Sequence, residues 1–133
     1  MVETRLTQDL IREGARLVEK LDQLGVSPDA AFWLYLADTG SWKLYLAETS
    51  VAARGPRQAY KQIQRTLHAL RNEVTHLSLN DIAVAESDAP LVALLSSAIS
   101  TGPGISGLRF SRNVIKGVAI DDAYIYRLRR PAA

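Results

Sequence analysis

Near the start of the chain, Leu10, Leu17, Val18, Leu21 and Leu24 recur at helical spacing. With Thr7 as N-cap, Asp9 in the first turn and Gly25 as a natural stop, they predict a helix ending at about Leu24. Ser27-Pro28-Asp29 breaks it. Two apolar, β-rich runs follow at 31–37 and 42–47, and Asp38-Thr39-Gly40-Ser41 between them reads as a hairpin turn. A two-residue loop at Thr39-Gly40 puts Trp33, Tyr35, Trp42, Leu44 and Leu46 on one face. Phe32, Leu34, Leu36, Lys43 and Tyr45 share the other. Both faces are apolar, so the hairpin is expected at the centre of a sheet or under a second chain.

Gly55-Pro56 opens a second helix, whose apolar face is Tyr60, Ile63, Leu67, Leu70 and Val74. One or two strands are expected next, at 76–79 and 82–85, divided by Asn80-Asp81. Asp88 is placed to cap a short third helix over 90–99, ended by Gly102-Pro103-Gly104. The tail reads as three strands, 107–111, 114–120 and 123–128, turning at Arg112-Asn113 and Asp121-Asp122. The order α-β-β-α-β-α-β-β-β predicts one α+β domain over residues 1–133, with about three helices and a mainly antiparallel sheet. No internal repeat, low-complexity tract or linker interrupts it.

Composition narrows the classes. Of 133 residues, 47% are apolar and 23% charged, which excludes a disordered tail, a collagen-like repeat and a disulfide-framed miniprotein. No apolar run approaches the roughly 20 residues of a membrane-spanning helix, and the opening Met1-Val2-Glu3-Thr4-Arg5-Leu6 does not read as a secretory signal. The absence of cysteine excludes thiol nucleophiles and thiolate metal sites. The net charge of +2 conceals segregation. Residues 1–53 hold five basic groups against eight acids, and 54–76 hold five against one. Residues 77–108 have three acids and no Lys or Arg, and the remainder has six basic groups against two acids. Alternating blocks of sign predict discrete surface patches.

Four phrases carry a resemblance. They are Phe32-Trp33-Leu34-Tyr35-Leu36, Gly55-Pro56-Arg57-Gln58-Ala59-Tyr60, Gly104-Ile105-Ser106-Gly107-Leu108-Arg109-Phe110-Ser111 and Asp122-Ala123-Tyr124-Ile125-Tyr126-Arg127. Spread over most of the chain, they resemble a family of small bacterial proteins with no established activity. That resemblance implies a bacterial, cytoplasmic source and carries over no functional residue.

Catalytic and cofactor motifs are sparse. Gly102-Pro103-Gly104-Ile105-Ser106-Gly107 matches the spacing of a dinucleotide loop, but a helix precedes it and a strand follows, the reverse of the required context. His68 and His76 lack a carboxylate at ligand spacing, so neither a metal nor a cofactor is expected. Asp121-Asp122 reads as a turn rather than an acid/base pair. Arg71-Asn72-Glu73-Val74-Thr75-His76 is similar to the R-N-x-x-x-H signature of HEPN ribonucleases. The resemblance implies metal-independent RNA cleavage, with Arg71 holding the phosphate and His76 moving a proton. The plainer reading is a helix end, where both side chains face the negative end of the dipole. HEPN domains are helical bundles, whereas at least four strands are expected here.

The second helix carries the strongest charge signal. Arg54, Arg57, Lys61, Arg65, His68 and Arg71 fall within roughly 120° of arc, opposite Ile63, Leu67 and Leu70. A solvated helix face ordinarily mixes signs, and this stripe carries no acid. Two readings stand. Either the stripe binds phosphates or an acidic partner, or the first helix neutralises it through Glu13, Glu19 and Asp22. Arg127, Arg129 and Arg130 either extend the stripe or keep the end soluble. Trp33, Tyr35, Trp42, Tyr45, Tyr124 and Tyr126 are either a base-stacking platform or core and interface packing.

The sequence therefore predicts a cytoplasmic binding or interaction module rather than an enzyme. It is expected to form a homodimer, to have no membrane association, and to meet nucleic acid or an acidic protein through Arg54, Arg57, Lys61 and Arg65. The alternatives are a ribonuclease using Arg71 and His76, and a purely structural subunit of a homo-oligomer.

Overall fold

The Thr7 hydroxyl accepts a hydrogen bond from the Leu10 backbone N–H at 3.2 Å, starting α1 (Gln8–Gln23) where the sequence places its cap. Gly25, at φ 79°, ends it in the left-handed conformation that glycine adopts without Cβ strain. The computed structural model describes residues 5–48 and 54–129. Strands β1 (Ala30–Leu36) and β2 (Ser41–Glu48) form the expected hairpin. Tyr35 pairs with Trp42 and Leu36 with Ser41, so the loop has four residues rather than two. Lengthening the loop by two residues preserves the alternation, and the predicted faces hold.

Helix α2 (Pro56–Ala69) follows Gly55 and carries the chain to β3 (Ile82–Glu86), which lies parallel to β2. Residues 76–79 do not form a strand. The buried Glu13 carboxylate accepts the backbone N–H groups of His76 and Leu77 at 2.8 and 2.9 Å, which takes those donors from any ladder. Ser78 and Asp81 then close a capping box on a single 3₁₀ turn, Leu79–Asp81. Helix α3 (Pro90–Ala98) is preceded by Ala89 without a side-chain cap, so the capping role expected of Asp88 is not filled.

The tail contains two long strands, β4 (Leu108–Ile115) and β5 (Val118–Leu128), instead of three. Their turn is Lys116-Gly117, both at positive φ (49° and 82°). The two expected turns face each other inside the hairpin. Pairing keeps one register from Leu108/Ile125 to Ile115/Val118, with Arg112 opposite Asp121 in the left-handed conformation at φ 50°. Turn-forming residues there lie opposite one another within a ribbon and do not reverse the chain.

The five strands form one sheet in the order β3-β2-β1-β5-β4, antiparallel except between β2 and β3. This is the expected α+β fold with a mainly antiparallel sheet. One face packs Ala31, Trp33, Leu44 and Leu46 against Leu17, Val18 and Leu21 of α1 and Ile63 of α2. The other packs Phe32, Leu34 and Ala47 against Val92 and Leu95 of α3. Strand β1 is thus central, and the chain's own helices cover most of both apolar faces of the hairpin, while Tyr35 and Trp42 stay half-buried beside an open hollow. Among the described residues, no helix is long and apolar enough to cross a membrane.

A bulge in β5 ties the sheet to α1. Ala31 pairs with Arg127 but Phe32 pairs with Ile125, leaving Tyr126 as the extra residue. Tyr126 and Arg127 consequently both reach α1. The Tyr126 hydroxyl accepts from Trp33 Nε1 at 2.9 Å and donates to the Ile11 carbonyl at 2.6 Å. Arg127, only 2% exposed, donates to both Asp22 carboxylate oxygens and to the Pro28 carbonyl.

Candidate functional site

Helix α2 rests on the core through Ala59, Ile63 and Thr66, and its opposite side faces solvent. Four of the six stripe cations lie on or within it: Arg57, Lys61, Arg65 and His68. Arg54 precedes the Gly55 cap, and Arg71 follows the last turn, where its Nη1 donates to the His68 carbonyl at 3.0 Å. All six are exposed. At 1.5 Å per residue, Arg57 to His68 spans about 17 Å, with successive cations separated by about one turn.

Among the described residues, no acid forms an ion pair with Arg54, Arg57, Lys61, Arg65 or Arg71. Every α1 acid expected to neutralise them is engaged elsewhere. Glu13 meets His76 Nδ1 at 2.8 Å, Glu19 meets Arg16 at 2.8 Å, and Asp22 meets Arg127 at 2.8 Å. Glu73, the acid nearest in sequence, also pairs with Arg16, at 3.0 Å. The neutralisation reading therefore fails on geometry.

Two shallow hollows adjoin the stripe. Lys61, Gln64, Arg65 and His68 line one of about 360 Å³. Arg54, Gln58, Gln62 and Arg65 line the other, together with Val26, Ala59 and the carboxylate-bearing Glu48. Guanidinium, ammonium and amide donors thus alternate along the face, a set suited to phosphate oxygens.

The remaining candidates are placed differently. Arg127 is buried on Asp22, and Arg129 bonds Asp29 at 3.2 Å, so neither extends the stripe. Arg130 lies outside the described residues. Trp33 and Tyr126 are core residues. Tyr45 stacks on Phe32, with centroids 5.3 Å apart, on the α3 side of the sheet. Tyr35 and Trp42 pair at 5.5 Å, with Arg109 also over the Trp42 ring, in a separate hollow bordered by Arg112 and Asp121. Asp122 sits on β5 and holds Arg109 through both carboxylate oxygens. Residues 102–107 form an exposed loop from α3 to β4, not the strand-to-helix turn of a dinucleotide site. Among the described residues, no cluster of three metal-ligating side chains occurs.

Arg71 and His76 share no hydrogen bond or ion pair. His76 Nδ1 is taken by Glu13, and its Nε2 lies 3.7 Å from Asp9. The Glu13 hydrogen bond raises the His76 pKa above its ordinary 6.5, with Asp9 adding to it. For Glu13, burial pushes the carboxyl up, but hydrogen bonds from the His76 ring and from the Leu77, His76 and Thr75 backbone outweigh it, and the pKa is lowered. The arrangement clamps α1 to the segment after α2. Sequence reasoning missed it, although Glu13 stands within the apolar seam between Leu10 and Leu17, where a carboxylate requires partners. No family model, curated protein or solved structure matches the chain.

Proposed function

We propose that this protein is a non-catalytic module that binds the phosphate backbone of nucleic acid through the exposed face of α2. The observation that supports it is an exposed single-sign row, Arg57, Lys61, Arg65 and His68, flanked by Arg54 and Arg71, whose expected neutralisers are held by other partners. Opposite charge favours both polyanions and acidic proteins. The choice between them rests on apolar anchors, because protein interfaces draw most of their energy from buried aromatic and aliphatic side chains. Among the described residues, the exposed large hydrophobics are Leu24, Ile105, Leu108, Val114 and Val118, none of them on α2. A face of cations and amides, with apolar lining confined to Val26 and Ala59, suits backbone contacts, which position a ligand without reading its sequence.

Purification tests this reading. Protein isolated at low salt should carry nucleic acid, seen in its ultraviolet absorbance, and lose it in a high-salt wash. Protein free of nucleic acid at low salt that also fails to bind added nucleic acid would refute the proposal.

A further inference from the structure

Taking the nucleic-acid reading of α2 as its basis, we infer that the ligand is double-stranded. Proteins that hold single strands combine a basic groove with aromatic rings on which successive bases stack. The α2 face has the charge, with His68 as its one exposed ring. No Phe, Tyr or Trp lines either hollow beside the stripe, and His68 is the one ring there. Tyr60, the aromatic of α2 itself, is half-buried, and its hydroxyl accepts the Val84 backbone N–H at 3.0 Å. Of the aromatics that would have formed a platform, Trp33 and Tyr126 are in the core, Tyr124 packs edge-on against Tyr126, Tyr45 is on the α3 side of the sheet, and Tyr35 pairs with Trp42 under Arg109.

The shape of the face agrees. The cations project from a helix fixed to the core by Ala59, Ile63 and Thr66. Their spacing is therefore set in advance, at about 6 Å for each four-residue step. A duplex is equally preset and presents one phosphate for each roughly 1.7 Å of its axis, so several can meet the row without being ordered first. A single strand would have to be straightened along the helix and would gain no stacking in return.

The test is a pair of anisotropy titrations of the full chain. One uses a labelled DNA duplex of about 20 base pairs and the other uses one of its strands, at about 50 mM salt. The duplex should bind at least about tenfold more tightly, and Arg57→Gln/Lys61→Gln/Arg65→Gln should erase the difference, because without stacking both ligands depend on the same phosphate contacts. A single strand bound as tightly as the duplex overturns this inference and leaves the phosphate-backbone reading standing. Failure of both DNAs to bind overturns both. Polyglutamate competing as well as unlabelled duplex identifies an acidic polypeptide as the ligand and also overturns both.

Discussion

Arg127 Nη1 and Nη2 lie 3.0 and 2.8 Å from the two carboxylate oxygens of Asp22, so the last acid of α1 is held by β5 and not by α2. The β5 bulge makes this possible by turning Tyr126 and Arg127 toward the same helix. Asp22 in turn has a lowered pKa, chiefly through the Arg127 hydrogen bonds, against the opposing effect of burial. Asp22→Ala would leave a buried guanidinium without its counter-charge, and breaking such a pair costs about 3–5 kcal/mol. Asp22 is 29% exposed, so the low end of that range is expected in urea unfolding. Arg127→Met leaves no orphaned charge and should cost less. Neither change should weaken nucleic-acid binding.

The Glu13–His76 clamp makes stability depend on pH. His76 has a raised pKa in the fold, so its contribution is complete below 6.5 and is lost as pH climbs through the raised value. Glu13 has a lowered pKa, so its contribution is present above 4.5 and is lost as pH falls through the lowered value. The two overlap between these limits. In melting curves recorded across pH, His76→Ala should be most destabilising at about pH 6 and progressively less so on the alkaline side, over the window set by these two shifts. A His76→Ala deficit that stays constant through that window would contradict the clamp.

Tyr126 joins the sheet to α1 through Trp33 Nε1 and the Ile11 carbonyl. Tyr126→Phe leaves the buried Trp33 Nε1–H without its acceptor, at a cost of about 1–3 kcal/mol. Chemical denaturation should show a loss in that range.

Gly14 of α1 faces the same hydroxyl. A Cβ there would run into Tyr126 Oη and touch Trp33 Nε1 at 3.0 Å. In an exposed helix, alanine in place of glycine gains about 1 kcal/mol. Gly14→Ala should instead lower the melting temperature, and a rise would show that the packing there is slack.

What could be read in advance was what periodicity encodes. The cap and stop of α1, the two faces of the β1–β2 hairpin and the arc of cations on α2 each follow from local spacing. What escaped depended on distant partners. Residues 76–79 look extended until Glu13, more than sixty positions away, claims their N–H groups. Arg127 resembles a soluble tail until the bulge points it at Asp22. Arg112-Asn113 and Asp121-Asp122 carry turn chemistry, yet they sit opposite one another within one ribbon. The exposure of the stripe could not be read locally either, because it depends on where the α1 acids find their partners.

If the α2 cations serve a ligand and not the fold, Arg57→Gln/Lys61→Gln/Arg65→Gln should separate binding from stability. The variant is measured twice, by melting and by nucleic-acid titration over a range of salt. Stability should stay within about 0.5 kcal/mol of the parent, as for exposed side chains away from the core. The slope of log affinity against log salt should flatten by about 0.9 for each duplex phosphate that the variant no longer neutralises. A lowered melting temperature with an unchanged salt slope would contradict a ligand-binding role for these cations.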